Sequence, residues 1–517
     1  MAQWLKRSLL LRALMVVAVA IVSFLAGMRN VPVWDDVTIL QQRLAPTGNT
    51  GLASLWTTPY WGTFGPADTY RPLGLSIIYL ERQAFGADPL GYHLVSLALH
   101  ALACLAAWWT MSRLLGRSLG WVSALLFAAH PIHAEAVGMV YGQLELLAAL
   151  FGLLAIALFD GATSPRAFAL DARYRPLAYA GSLLCAALAV CSKESAVMVP
   201  VLMLIVYVYR RWDDTSAAPA TIARGLLPTA AFFVTAGAFM VARQSVLGTF
   251  TSDTEATVAM DYPLPVRFNL LVVSAGEALR LCVVPTGQTV YYGHLRDALF
   301  GWPVMQSAFV LAAVYGLIFL KDHLRGRVIA LALAWLLLTF FPVSNIIPSG
   351  VVVAERTLYL PVLGVCVLIA ATLSALLKPR VAIGVLAALV LVGVVQSNRV
   401  VYSWRDDLTL WRTTVAAHPR SPQSQLLLGK ALLRKWDEHP NEPIAPAELE
   451  EASDAFSTAW ELNPSWSEAL TGSGWVALRR GDRQTAEEFF SKALDRSPDD
   501  PSATAGLKLA RPDVRRR

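Results

Sequence analysis

Apolar runs follow one another through the first 400 residues, near 8–27, 92–112, 118–130, 143–159, 177–191, 195–209, 225–242, 302–320, 328–342, 357–377 and 380–397. A run of about 18 apolar residues is long enough to cross a bilayer as a helix. In lipid the backbone must satisfy its own hydrogen bonds, so such runs become helices. The shorter runs need their flanking residues to reach that length. An all-α fold is therefore expected: a polytopic membrane helix bundle of about 11 spans over 1–400, followed by a polar tail over 401–517. With 56% hydrophobic and 15% charged residues, the composition excludes a soluble globular chain. Residues 8–27, after Lys6 and Arg7, are read as a retained span rather than a cleaved leader, because they are long and more spans follow.

The basic residues order these spans. With the N-terminus inside, the loops 113–117, 160–176, 210–224, 321–327 and 378–380 are internal, and they carry Arg113, Arg117, Arg166, Arg173, Arg175, Arg210, Arg211, Arg224, Lys321, Arg325, Arg327, Lys378 and Arg380. Short internal loops rich in Lys and Arg set the orientation. The net charge of +6 is thereby accounted for, and no nucleic-acid partner is implied. Residues 266–287 carry Glu277 and Arg280. Counting them as a span would reverse the later loops, so they are read as an interfacial or re-entrant helix.

Three external stretches, 28–90, 130–142 and 343–356, then share one side with the chain's most polar clusters. The first holds Trp34-Asp35-Asp36 and Tyr70-Arg71-Pro72-Leu73. The second begins His130-Pro131-Ile132-His133-Ala134-Glu135. Cys191-Ser192-Lys193-Glu194-Ser195 forms a tight turn between two spans, and Ser344-Asn345 precedes Glu355-Arg356-Thr357-Leu358-Tyr359-Leu360-Pro361. Ionisable groups beside a bilayer are costly and tend to mark function. The competing account of Asp35 and Asp36 is a helix cap. For Lys193 and Arg356 it is snorkelling to the interface, and for Tyr70 and Tyr359 a place in the interfacial aromatic belt.

Together these groups suit one chemistry. A carboxylate can take the proton of an acceptor hydroxyl, nearby cations can stabilise a departing phosphate, and an interhelical groove can hold a lipid chain. Metal chemistry is not indicated. His130 and His133 lack the i, i+4 spacing of a helical zinc pair, and the five cysteines form no CxxC. No Gly-rich phosphate loop or nucleophile elbow occurs.

The tail repeats with a period of 34 residues. Aligning Pro464 with Pro498 places Ala452, Phe456 and Ala459 on Ala486, Phe490 and Ala493. Gly474 precedes Pro498 by 24 positions, and Gly429 matches it once an 11-residue insertion near 437–447 is allowed for. A half repeat ends at Pro419. The period and the small, aromatic and proline positions are those of tetratricopeptide (TPR) repeats, paired helices that stack into a short solenoid.

On Trp34-Asp35-Asp36, Tyr70-Arg71-Pro72-Leu73, His130 to Val137, Lys193-Glu194, Glu355 to Pro361 and Trp404-Arg405-Asp406-Asp407, the chain resembles the C-type (GT-C) polyprenyl-phosphate-sugar-dependent glycosyltransferases. The transmembrane-and-TPR O-mannosyltransferases are the nearest in pattern. The resemblance implies inverting transfer of a hexose, mannose in that group, from a polyprenyl-phosphate donor to a protein Ser or Thr. It makes Asp35 or Asp36 the base, with Asp35 preferred. Asp35, Asp36 and Glu135 are the candidate catalytic carboxylates. Arg71, Tyr70, His133, Lys193, Glu194, Arg356 and Tyr359 are the candidate donor and phosphate ligands. Members of the wider superfamily differ in using a divalent cation and in passing sugar to lipids or glycans, so both points stay open. The tail is then a site for recruiting the acceptor. Its shortness suggests a bacterial inner membrane, with site and tail on the periplasmic side. The alternatives are a non-catalytic scaffold that assembles partners through the tail, and a transporter or flippase; the latter calls for an inverted repeat that the sequence lacks.

Overall fold

The structure, a computed structural model, describes residues 2–511 apart from 46–50, 66–67, 165–169, 212–217, 249–263, 293–325, 345 and 347–351. Helices dominate, and no strand occurs among the described residues. Among the described residues six helices are long and apolar enough to cross a membrane: Pro89–Leu115, Gln143–Thr163, Ala172–Ser192, Thr221–Leu247, Gly326–Val343 and Pro379–Ser403. The protein is a multi-pass membrane protein. Four shorter apolar helices, Ser8–Val22, Arg117–Ala128, Glu194–Tyr209 and Val362–Leu376, fall on the remaining runs. At 1.5 Å per residue, the 12 residues of Arg117–Ala128 are well short of a hydrocarbon core about 30 Å thick. The expected span 302–320 lies outside the described residues, as do Arg166, Lys321, Arg325 and Asn345.

Residues 266–287 lie largely in the helix Leu264–Val283, which is not one of the six. Its two charges neutralise each other, with Arg280 Nε donating to Glu277 one turn earlier at 2.9 Å. The carbonyl of Cys282 near its end accepts from His130 Nε2 at 3.0 Å; because His130 Nδ1 accepts from the Ile132 amide, Nε2 carries the proton.

The chain divides into two compact units, Met1–Thr286 with Ala298–Arg405, and Gly287–Asp297 with Asp406–Arg517. The first is built round the buried Gln143–Thr163 helix, which packs on Pro89–Leu115, Arg175–Ser192 and Val199–Tyr209. Hydroxyls tie these contacts: Thr110 donates to the Leu153 carbonyl at 3.0 Å and Ser182 to that of Ala155 at 2.6 Å. At the helix's C-terminal end, the buried Asp160 accepts from Arg113 at 3.0 Å and Arg210 at 2.6 Å. A buried carboxylate is tolerable only when paired in this way.

In the second unit the helices Asp407–Ala417, Pro422–Glu438, Pro446–Leu462, Ser467–Arg480, Arg483–Arg496 and Pro501–Ala510 each pack on the next. Asp406, Ser421, Asp482 and Asp500 cap the starts of four of them through their side chains. Gly481, at φ 82°, ends Ser467–Arg480 in the left-handed conformation. Phe456 and Phe490, 34 residues apart, are fully buried. Phe456 lies against Gly429 and Gly472, and Phe490 against Gly474 and Gly506; a β-carbon on any of the four would overlap the ring.

Removing such a ring leaves a large cavity. Phe490→Ala is expected to destabilise the second unit by about 3–5 kcal/mol, read by hydrogen exchange as lost amide protection across Ser467–Arg480 and Arg483–Arg496.

Candidate active site

The loop that carries Asp35 and Asp36 turns on one strained residue. Trp34 has φ 49° and ψ −115°, the one non-glycine positive φ among the described residues. Such a conformation costs on the order of 1–3 kcal/mol and persists where its surroundings enforce it. The short helix Asp35–Val37 starts immediately after it, and the two aspartates then diverge.

Asp36 is 1% exposed and accepts from the backbone amides of Val140 at 2.9 Å and Tyr141 at 2.7 Å. It pins the first loop to the second. Burial pushes its carboxyl up to about 7, against the pull of these two N–H donors. Asp35 stays partly open and makes no hydrogen bond among the described residues. Burial raises it to about 6, the Arg356 charge opposing, Glu135 adding to the rise and Arg71 opposing.

Three ion pairs make up the rest of the cluster, and Asp35 feels the charges of Arg356, Glu135 and Arg71. Arg71, at the N-cap of Pro72–Phe85, holds Glu194 with both arms, Nε to Oε2 at 2.8 Å. Arg356 is bound to Glu135 by its guanidinium, and its own amide donates to the same carboxylate at 2.8 Å. Lys193 is bound to Glu145 in the first turn of Gln143–Thr163. Arg71, Lys193 and Arg356 are all buried. Burying a charge is affordable only when paired, which disposes of snorkelling for these three.

Tyr141 sits among them. Its hydroxyl accepts from Arg71 at 2.5 Å, and the Arg356 guanidinium lies 5.1 Å from its ring centre. Trp61 stacks on it at 5.6 Å and Tyr60 meets it edge-on at 5.7 Å. Tyr141 and Glu145 escaped the sequence reading. The available signal was position alone: a tyrosine beside Gly142 at the end of an external loop, and a carboxylate one turn into a span.

The remaining candidates are placed elsewhere. His133 is fully buried with Phe127, His100 and Tyr359, their ring centres 4.5, 5.3 and 4.2 Å from its own. Burial and the neighbouring histidines hold it well below its usual pKa, hence neutral. Tyr359 is engaged with His100 Nδ1 at 2.8 Å. Tyr70 donates to the Trp56 carbonyl at 2.9 Å and stacks on Phe239. The structure thus gathers Asp35, Asp36, Glu135, Arg71, Lys193, Glu194 and Arg356, and keeps His133, Tyr359 and Tyr70 in separate contacts.

No group of three or more metal-ligating side chains occurs among the described residues. Asp35 is a single uncommitted carboxylate, the glutamates around it being taken by cations, and this donor set does not fit a divalent ion. Beside the cluster a narrow cleft of about 30 Å³ is lined by Glu145, Ala149, Ser195, Leu202, Val343 and Thr357.

No protein-family model matches the chain. Sequence relatives do. Human (Homo sapiens) protein O-mannosyl-transferase TMTC4 is 28% identical over 484 residues, covering 82% of this chain and 64% of its own. Protein O-mannosyl-transferase Tmtc3 of Drosophila melanogaster is 25% identical over 470 residues, covering 77% and 50%. The chain is a sequence relative of the TMTC O-mannosyl-transferases. It spans about half to two thirds of the length of these curated relatives. They come from animals and do not bear on the bacterial inner membrane expected from the tail. Among solved structures, ArnT from Cupriavidus metallidurans bound to undecaprenyl phosphate matches with a TM-score of 0.45 at 14% identity, over 96% of this chain and 87% of that one. The Archaeoglobus fulgidus oligosaccharyltransferase in the apo form matches at 0.42 and 13%, over 95% and 72%.

The two aspartates separate experimentally. Asp36→Asn turns one acceptor into a donor facing a backbone N–H, an expected loss of about 1–3 kcal/mol, seen as a lower unfolding temperature of the purified protein. Asp35→Asn breaks no hydrogen bond and is expected to leave that temperature unchanged.

Proposed function

We propose that the protein is a membrane glycosyltransferase that moves a hexose, mannose, from a polyprenyl-phosphate carrier to the hydroxyl of a Ser or Thr on an acceptor protein, at the outer face of its membrane. The name carried by its relatives supports the sugar and the acceptor. The observation that carries the reading is Asp35, the one carboxylate of the cluster with no hydrogen-bond partner among the described residues, facing Arg356 and Arg71 where every neighbouring carboxylate is committed. A scaffold has no use for such a group.

In this reading the acceptor oxygen attacks C1 of the sugar from the side opposite the phosphate. The new O–C1 bond forms as the C1–O bond to phosphate breaks, the configuration at C1 inverts, and polyprenyl phosphate departs with the bonding electrons. The hydroxyl proton passes to Asp35, a general base positioned for that transfer. Arg71, Arg356 and Lys193 lie where charge develops on the leaving group, and their glutamate partners fix their directions beforehand. The polyprenyl chain is read as running along the apolar walls Ala149, Leu202 and Val343 beside Glu145. The tail, as a short TPR solenoid, recruits the acceptor, and no metal is invoked.

Asp35→Asn is expected to lower transfer by about 10²–10⁴-fold with membrane insertion intact, measured with a lipid-linked mannose donor and the purified protein. Wild-type rates in that variant would remove Asp35 from the mechanism. The base works only when ionised, and its folded pKa is raised to about 6. Transfer should therefore hold at neutral pH and fall as pH drops through about 6, in a rate profile whose acid limb belongs to this group.

A further inference from the structure

The hydroxyl of Tyr141 is satisfied on one side only. Arg71 donates to it at 2.5 Å, and a guanidinium has no lone pair with which to accept. The phenol's own hydrogen must therefore point elsewhere, and no acceptor for it occurs among the described residues. The residue is buried at 7% exposure, where an unused donor is costly. Burial keeps the phenol protonated, outweighing the pull of Arg71 and Arg356.

That donor is also held firmly. Asp36 fixes its backbone amide, Trp61 and Tyr60 pack on its ring, and Arg71 fixes its oxygen. The Arg356 guanidinium lies 5.1 Å from the centre of the same ring. Two guanidiniums, each shared with a glutamate, and one free O–H thus come together at one tyrosine. A ligand that takes the O–H and shares both guanidiniums with their glutamates offers several acceptor oxygens and negative charge, as a phosphate ester does.

We infer that Tyr141 is a ligand-contacting residue of this site, donating its O–H to a non-bridging oxygen of a phosphate ester seated between Arg71 and Arg356. The inference rests on the reading that the donor is a polyprenyl-phosphate sugar. It assigns the phosphate a hydrogen-bond donor that carries no charge and so needs no glutamate to balance it.

Binding to the full-length protein in lipid nanodiscs tests it, with polyprenyl phosphate and the uncharged polyprenol of equal length as ligands. Tyr141→Phe is expected to bind polyprenyl phosphate about tenfold or more weakly and to bind polyprenol as the wild type does. Unchanged affinity for the phosphate, or equal losses for both lipids, would each overturn it. Wild-type protein that binds both lipids equally would sink the phosphate site itself, and this contact with it.

Discussion

Two hydrogen bonds to Asp36 hold the candidate site together. The loop that carries Trp34 and Asp35 contains only short helical turns among its described residues, and on its own it would not place either residue anywhere in particular. By accepting from the amides of Val140 and Tyr141, Asp36 fastens it to the loop that also supplies Glu135, and through Glu135 to Arg356. The strained backbone at Trp34 is intelligible in these terms. With Asp36 anchored this tightly, Trp34, two residues before it, absorbs the misfit, and Asp35 between them is aimed as a result.

The aspartate pair divides labour as its burial dictates. Asp36, enclosed and doubly bonded, is structural, while Asp35, partly open and unbonded, is left with reactive capacity. The same economy runs through the cations. Arg71, Lys193 and Arg356 each sit in a low-dielectric setting beside a glutamate, so the cluster is charge-dense before any anion arrives. An incoming phosphate must share its cations with those carboxylates, which favours ligands that also bring apolar area to bury.

How much of this was legible beforehand follows from the range of each interaction. The apolar runs, the 34-residue period and the external polar clusters are local patterns and could be read directly. The loop charges led to the expectation that the polar clusters share one side. The pairings could not be read: Arg71 meets Glu194 across 123 residues and Arg356 meets Glu135 across 221, separations that only the packed bundle closes. His133 and Glu135 show the limit most plainly. Two residues apart in one motif, they face opposite ways from the short helical turn, one into a ring cluster and the other onto Arg356. The short helix Arg117–Ala128 shows it again, since hydropathy alone cannot tell a full crossing from a partial one.

The phenylalanines of the tail carry a different consequence. Each occupies a socket made by glycines on the helices before and after its own, so the repeating element is the joint between hairpins rather than the hairpin itself. A joint of this kind is self-contained: adding a hairpin adds one ring and its socket and leaves the existing ones untouched. Tail length is thereby uncoupled from core design, and an array can lengthen or shorten by duplication and loss without a new interior having to be invented.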